Sequence, residues 1–394
     1  MKKILLLVPV LCVLTLLSSC IQDEALNAEC DITGVDAAWL KANKSVLIGM
    51  PIVKNDNVIF TVKDGADMSF APEFTLTEGA TITIERDGKE VPANGVMLDF
   101  TQPQIYTVHS EDGAWQKKYT VTFSAREFIQ RCSFEHFALE SSRRYQEWFE
   151  MSENDIQNPQ RNYWATGNSG YALTGMGRNP SLYPTVSDPH GVEGNCVKLE
   201  TRSTGSFGSM AGMPIAAGNI FIGTFDTKIA MLHPRVATGF GLQLLAGKPK
   251  TLTGYYKYTA GKVFQDKNLQ PQPGKRDKAD IYAVVYEVDP ENFQPLDGDN
   301  VLNSERIVLM ARIDEPGEPT EWTSFTEPFR PMNNKTFDTD RMINDGYAIS
   351  IVATSSRDGA YFEGAIGSVL YVDELCVNYE GDESIKGTTS SSSL

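Results

Sequence analysis

Apolar and polar residues alternate at every second position in many short stretches of this chain, and few windows repeat at the 3.6-residue period of a helix. Between Asp31 and Ala125 the pattern predicts strands at Val46–Ile48, Val58–Val62, Phe74–Leu76, Thr81–Ile84, Ile105–Val108 and Tyr119–Phe123. Turn formers separate them. Lys63-Asp64-Gly65 follows the second, and Arg86-Asp87-Gly88 closes the fourth with a hairpin turn that needs positive φ at the glycine. Ile105–Val108 is expected to face Tyr119–Phe123 across Ser110-Glu111-Asp112-Gly113. So many short strands with almost no helical periodicity predict a small antiparallel sandwich of the Ig-like kind over residues 31–125.

From residue 126 to 381 the strands continue with longer loops between them. They are expected at Phe134–Leu139, Tyr163–Asn168, Cys196–Thr201, Ile220–Phe225, Leu252–Tyr258, Ile281–Val288, Ile307–Ile313 and Trp322–Phe325. In LTGYYKY the two-residue period puts Tyr256 and Tyr258 on one face, with Tyr255 and Lys257 on the other. Gln265–Lys278 is polar, carries Pro271 and Pro273, and reads as an exposed loop. Tyr347, Ile349, Ile351 and Ala353 alternate with Ala348, Ser350, Val352 and Thr354. The loop Ser355-Ser356-Arg357-Asp358-Gly359 then leads to a final strand, Val369–Val377, expected to return to the middle of a sheet. The predicted class is therefore all-β: an Ig-like β-sandwich, then a larger jelly-roll sandwich of galactose-binding or lectin-like type.

The ends of the chain read differently. Lys2-Lys3 and the apolar run Ile4–Leu17 predict a leader over residues 1–19, too short to span a bilayer comfortably. Leu17-Ser18-Ser19-Cys20 resembles a lipobox, which makes Cys20 the lipidated N-terminus of the mature chain and residues 20–30 its tether. Several acyl chains on one cysteine give stable anchoring, because each buried CH₂ adds ~0.8 kcal/mol. Ile21-Gln22-Asp23-Glu24 resembles the surface-export signal of Bacteroidetes lipoproteins, so the expected address is the outer face of the outer membrane. Residues 382–394 read as a disordered, solvated tail.

Composition narrows the function classes. Losing the leader removes two lysines and no acid, taking the formal net charge from −16 to −18. A surface this acidic repels nucleic acid, and no polybasic run offsets it. Cys30, Cys132, Cys196 and Cys376 show no CxxC spacing. Cys196 and Cys376 lie in apolar strand patterns and read as buried free thiols, whereas Cys30 and Cys132 bracket the first domain and are a candidate pair.

An ordered set of segments then carries a family likeness: YWATGNSG, GNCVKLET, AAGNIFIGTF, GYYKYTAG, DIYAVVYEVD and TSSRDGAYFEGAIGSVLYVDELCVNY. Together they resemble the PCMD family, the "putative carbohydrate metabolism domain" of Bacteroidetes surface lipoproteins, over roughly residues 134–380. The segment DFTQPQIYTVHSEDGAWQKKYTVTF resembles the Ig-like domains that precede it and act as spacers. The resemblance implies a two-domain β protein linked to glycan use. It implies no reaction and carries over no catalytic residue.

The residues themselves favour binding over catalysis. His109, His136, His190 and His233 never fall in a zinc-binding spacing, and there is no GxSxG, P-loop or dinucleotide fingerprint. The ExDxxE pattern of laminarinase-type sandwich glycosidases is also absent. Acids on separate strands remain available to a glycosidase, which needs two facing carboxylates. Glycan binding needs aromatic faces for sugar C–H groups and planar polar groups for hydroxyls. The candidates are Tyr163, Trp164, Tyr255 and Tyr258 for stacking, with Arg357 and Asp358 in a loop at a sheet end. Each ring has a competing reading as core, and Arg357 and Asp358 one as turn formers. No cofactor is expected beyond a structural Ca²⁺, for which Asp373 and Glu374 are candidates, against their reading as solvated strand-edge carboxylates. The expected function is a surface lipoprotein that binds a polysaccharide or glycoprotein glycan beside outer-membrane transporters and hydrolases. The alternatives are a glycoside hydrolase on the same sandwich, or an adhesion or structural surface module.

Overall fold

The computed structural model describes residues 26–54, 56–63, 66–125, 128–151 and 160–381. The leader, Cys20, the Asp64-Gly65 turn and the tail at 382–394 lie outside the described residues. The chain divides into two compact units. One runs through residue 42 and includes 52–59 and 68–122; the other comprises 43–51, 60–67 and everything described from 123 onward. The protein is mostly β, and no helix of the described residues is long and apolar enough to cross a membrane.

Six strands make the N-terminal sheet: β1 (Leu47–Lys54), β2 (Asn57–Val62), β3 (Thr81–Arg86), β4 (Lys89–Pro92), β5 (Gln104–His109) and β6 (Gln116–Ala125). They lie in the order β1-β2-β6-β5-β3-β4. The period-two reading holds here: Val58, Phe60 and Val62 are buried, as are Ile82, Ile84, Tyr106, Val108, Tyr119 and Val121. β5 pairs antiparallel with β6, Tyr106 opposite Tyr119, as expected. The β3–β4 hairpin turns through Asp87 and Gly88, both at positive φ (51° and 72°), the conformation of a type I′ turn. Elements beyond the expected strands are the short strands Ile32–Val35, Ser69–Phe70, Lys89–Pro92 and Leu98–Asp99, and one helix. Helix α1 (Ala37–Asn43) is only two turns long, so its sequence cannot show a period; Asp36 Oδ1 accepts the Trp39 amide N–H at 2.8 Å, and Trp39 is buried.

The second unit is built from two antiparallel sheets. The strands along the main path of these sheets are β7 (Trp164–Ala165), β8 (Thr185–Asp188), β9 (Cys196–Glu200), β10 (Asn219–Phe225), β11 (Pro249–Thr259), β12 (Asp280–Glu287), β13 (Ile307–Arg312), β14 (Thr323–Pro328), β15 (Arg330–Pro331), β16 (Tyr347–Thr354) and β17 (Val369–Tyr379). Sheet A has the order β8-β9-β17-β11-β14, and sheet B the order β7-β10-β16-β12-β13-β15. The last strand does return to the middle of a sheet. β16 and β17, neighbours in sequence, belong to opposite sheets.

One core joins the inner faces: Leu252, Tyr256, Tyr258, Leu370 and Val372 from sheet A meet Ile281, Ala283, Val285, Ile349 and Ile351 from sheet B. Tyr256 and Tyr258 point inward and Tyr255 outward, as their spacing required. The outer face of sheet B is also dry. Phe221, Tyr282, Val284, Tyr286 and Val352 form a second cluster, covered by Phe240, Leu296 and Val301 from the connecting loops. β12 is therefore buried along both faces, which explains a nearly continuous apolar run in an antiparallel sheet. Ser350 lies on this second face of β16 and is buried too; its hydroxyl donates to Ile222 O at 2.8 Å. The loop Gln265–Lys278, expected to be exposed, ends in a buried Asp277.

No disulfide joins any of the four cysteines in the described residues, so Cys30 and Cys132 do not pair. Cys196 is buried as expected, while Cys376 is half-buried.

The loop cover over sheet B approaches β10 closely at Gly223. Its φ is +150°, and a Cβ there would lie 2.0 Å from the carbonyl oxygen of Gly239 on the adjoining strand Thr238–Phe240. Gly223→Ala should therefore lower stability by about 2–4 kcal/mol, since backbone must shift to admit the methyl. Chemical denaturation of the variant measures this; an unchanged midpoint would show that the cover is not tightly seated.

Candidate functional site

Sheet B bears on its outer face a cavity of about 260 Å³. Its floor is Phe221 from β10, Tyr282 from β12 and Val352 from β16. Two short helices, α2 (Asn168–Ala172) and α3 (Gly205–Met210), stand at its sides with Leu173 and Phe207. Met231 and Arg235, then Val301 and Leu302, come from the loops that cover the sheet, and Arg357 and Tyr361 from the loop after β16. Both helices lie in Gly-rich segments and are too short to show a helical period.

The charges of the site are paired. Asp280 is buried and accepts two hydrogen bonds from Arg312, from Nε at 2.8 Å and Nη2 at 2.6 Å, with Arg357 Nε at 3.7 Å. Arg357 also donates to Ile313 O at 3.1 Å. At the mouth, Arg235 Nη2 meets Asp299 at 2.7 Å, and its guanidinium lies 4.9 Å from the centre of the Tyr361 ring. Tyr361 is 54 % exposed and Phe207 47 % exposed, so two aromatic rings border an otherwise apolar hollow.

The loop carrying Arg357 and Tyr361 is fixed from below. Asp277 Oδ2 accepts from Ser356 Oγ (2.6 Å), Ser368 Oγ (2.7 Å) and the Ala365 amide (2.7 Å). Burial raises the Asp277 pKa, while these donors oppose that rise. The Thr201 hydroxyl lies 2.7 Å from Ser355 Oγ and 2.6 Å from Ser356 Oγ. Every polar group in this cluster has a partner, the condition for burying it.

A family model described as "Putative carbohydrate metabolism domain" matches residues 133–378. The chain belongs to that family. Residues 46–123 match a second model, "SGBP, N-terminal". Among solved structures, the chain is similar to a Bacteroides thetaiotaomicron VPI-5482 protein described as a putative glycoside hydrolase. The two are 42% identical over 91% of this chain and 99% of that one, with a TM-score of 0.61. A Bacteroides vulgatus ATCC 8482 protein, also described as a putative glycoside hydrolase, is 37% identical over 64% of this chain and 99% of its own, with a TM-score of 0.57. No curated protein matches the chain.

Within the carbohydrate metabolism domain, the residues singled out from sequence do not converge. Arg357 lines the cavity, and Asp358 turns to the adjoining surface cleft, where it meets Lys275 Nζ at 2.9 Å. Tyr255 is exposed on the outer face of sheet A. Trp164, only 9 % exposed, takes the core reading: its ring packs on Phe134 at 5.0 Å and its indole N–H donates to Glu150 Oε1 at 3.0 Å. Tyr163 packs partly buried against the same core. Tyr258, 1 % exposed, is core as well, its hydroxyl donating to Ser355 O at 3.2 Å. Neither Trp164 nor Tyr258 offers a face to a ligand. Apart from Arg357, the cavity residues were not singled out from sequence because they come from segments far apart along the chain.

The calcium candidates are engaged by protein donors. Asp373 is buried, not a solvated edge group, and its Oδ2 accepts the Val192 amide at 2.6 Å. Glu374 pairs with Arg131 Nε at 2.5 Å. Among the described residues no group of three or more His, Cys, Asp or Glu is placed to hold a metal ion.

Burial pushes the Glu150 carboxyl up to about 7, against the Trp164 indole and the amides of Ser133 and Phe134, which favour its ionised form. Asp373 is pushed up to about 6, again by burial. A carboxyl whose folded pKa exceeds its unfolded value stabilises the fold fully below the unfolded pKa and loses that contribution as pH rises through the folded one. Stability should therefore fall between about pH 4.5 and 7. Glu150→Gln should flatten this fall while keeping an oxygen acceptor for Trp164. Thermal melts across that range test it, and superimposable pH profiles for variant and wild type would refute it.

Proposed function

We propose that this protein binds a glycan at the bacterial surface, through the mouth of the cavity on sheet B. The observation that carries this reading is the pair of exposed rings, Tyr361 and Phe207, beside the Arg235–Asp299 pair. Sugar C–H faces stack on such rings, and the planar charged groups at hand hydrogen-bond to hydroxyls. The match of residues 46–123 to "SGBP, N-terminal", a surface glycan-binding module, supports the same partner class. In this reading the N-terminal sheets form an Ig-like spacer and the second unit a jelly-roll sandwich. Cys20 carries the lipid that anchors the chain in the outer membrane, where it hands glycan to transporters and hydrolases.

A glycoside hydrolase is the second reading, favoured by how the two Bacteroides relatives are described. Two carboxylates line the cavity, Asp280 and Asp299, the number such chemistry needs. Each is already paired with a guanidinium, Asp280 in a buried two-point contact, which suits a fixed structural charge better than an acid that must exchange protons.

A polysaccharide and glycan-array screen of the mature chain, with reducing-sugar release assayed on every hit, separates the readings. Binding without release is expected. Tyr361→Ala should weaken that binding about tenfold, roughly 1.4 kcal/mol, without changing the melting temperature. Release of sugar that Asp299→Asn abolishes would establish the hydrolase instead, and silence on every glycan would leave a structural surface module.

A further inference from the structure

The cavity below that mouth has a chemistry unlike the mouth itself. Its floor is aromatic and aliphatic, and most polar side chains in its walls are turned to protein partners, with Arg357 Nε buried and without a hydrogen bond. Thr174 Oγ1 donates to Tyr171 O at 2.7 Å, and Thr204 Oγ1 to Met213 O at 2.5 Å. Asn219 accepts the Gly167 amide at 2.8 Å through Oδ1 and donates to Ala217 O at 3.2 Å through Nδ2. Ser356 is bound to Asp277, and Asp280 to Arg312.

A bare sugar ring pushed inward would bury most of its hydroxyls without partners, which is penalised, and Arg357 Nε could satisfy one at most. Water is poorly held for the same reason, since a buried water needs two to four polar contacts. An apolar group gains on both counts. The volume of about 260 Å³ is ample: an apolar cavity of about 150 Å³ accommodates benzene. At the mouth the balance reverses, where Asp299 and Asn303 are exposed beside Tyr361.

We infer that the cavity takes an apolar substituent attached to a glycan, an aromatic or short aliphatic group. The sugar that bears it stays at the mouth, against Tyr361 and the Arg235–Asp299 pair. This assignment rests on the glycan-binding reading and specifies its ligand. Met231 and Leu302, 38 % and 37 % exposed, line the entrance and admit a larger side chain from the solvent side.

The test is calorimetric titration of the mature chain with matched methyl, phenyl and hexyl glycosides of glucose, galactose, mannose and N-acetylglucosamine. Phenol and 1-hexanol serve as the substituents alone. For the sugar that binds, the phenyl or hexyl glycoside should be held at least tenfold more tightly than the methyl glycoside. Met231→Trp, and independently Leu302→Trp, should erase that advantage, so that each variant holds the phenyl and hexyl glycosides no more tightly than the methyl glycoside. Equal affinity for methyl, phenyl and hexyl glycosides in the wild type would overturn the inference while leaving glycan binding intact. Uptake of phenol or 1-hexanol with no glycoside held would instead remove the glycan reading, and this assignment with it. The wild-type comparison requires no variant, so a misfolded plug does not rescue the idea.

Discussion

Sheet B has no wet face, and the second unit is arranged around that constraint. Its inner surface meets sheet A, and its outer surface carries Phe221, Tyr282, Val284, Tyr286 and Val352, which water cannot be allowed to reach. An antiparallel sheet ordinarily leaves one side solvated. Here the connections after β10 and β12 must fold back as a lid of Phe240, Leu296 and Val301, with glycines where backbone crosses at close range. The cover is complete over Val284 and Tyr286 of β12 but incomplete over Tyr282, between α2, α3 and the loop after β16. The cavity is what the cover leaves open.

Holding that opening in shape falls to buried polar groups. Asp277 and the hydroxyls of Thr201, Ser355, Ser356 and Ser368 tie the loop after β16 to its surroundings through fully satisfied hydrogen bonds. A hydrophobic contact alone would locate this loop loosely; directional bonds in a dry environment locate it sharply. Arg357 and Tyr361 inherit that placement. The function proposed for the mouth depends on this rigid support, because stacking and hydrogen bonding to a sugar gain affinity mainly when the protein groups are already in position.

Charge plays a local part. A chain of net charge −16 keeps its cavity close to balanced by matching Asp280 with Arg312 and Arg357, and Asp299 with Arg235. Such pairing suits a neutral ligand better than an ionic one, since a charged group entering would have to displace a partner.

Much of the architecture follows from local sequence. Alternation with a period of two fixed which of Tyr255, Tyr256 and Tyr258 face inward, because adjacent side chains on a strand must leave on opposite sides. Asp87-Gly88 dictated a hairpin because few other residue pairs tolerate positive φ twice in succession. Local sequence failed wherever burial came from a distant segment. Ser350 is polar yet buried, its hydroxyl bonded to Ile222 O on the neighbouring strand β10, and Trp164, a stacking candidate, is covered by Phe134 and bonded to Glu150. The cavity is the extreme case. It unites Phe207, Phe221, Arg235, Tyr282, Asp299 and Tyr361. Strand identity, turn chemistry and facing are set by neighbours in sequence and so belong to the sequence itself. Which rings are exposed, which acids are paired and where a ligand can enter depend on long-range packing, and only the tertiary structure decided them.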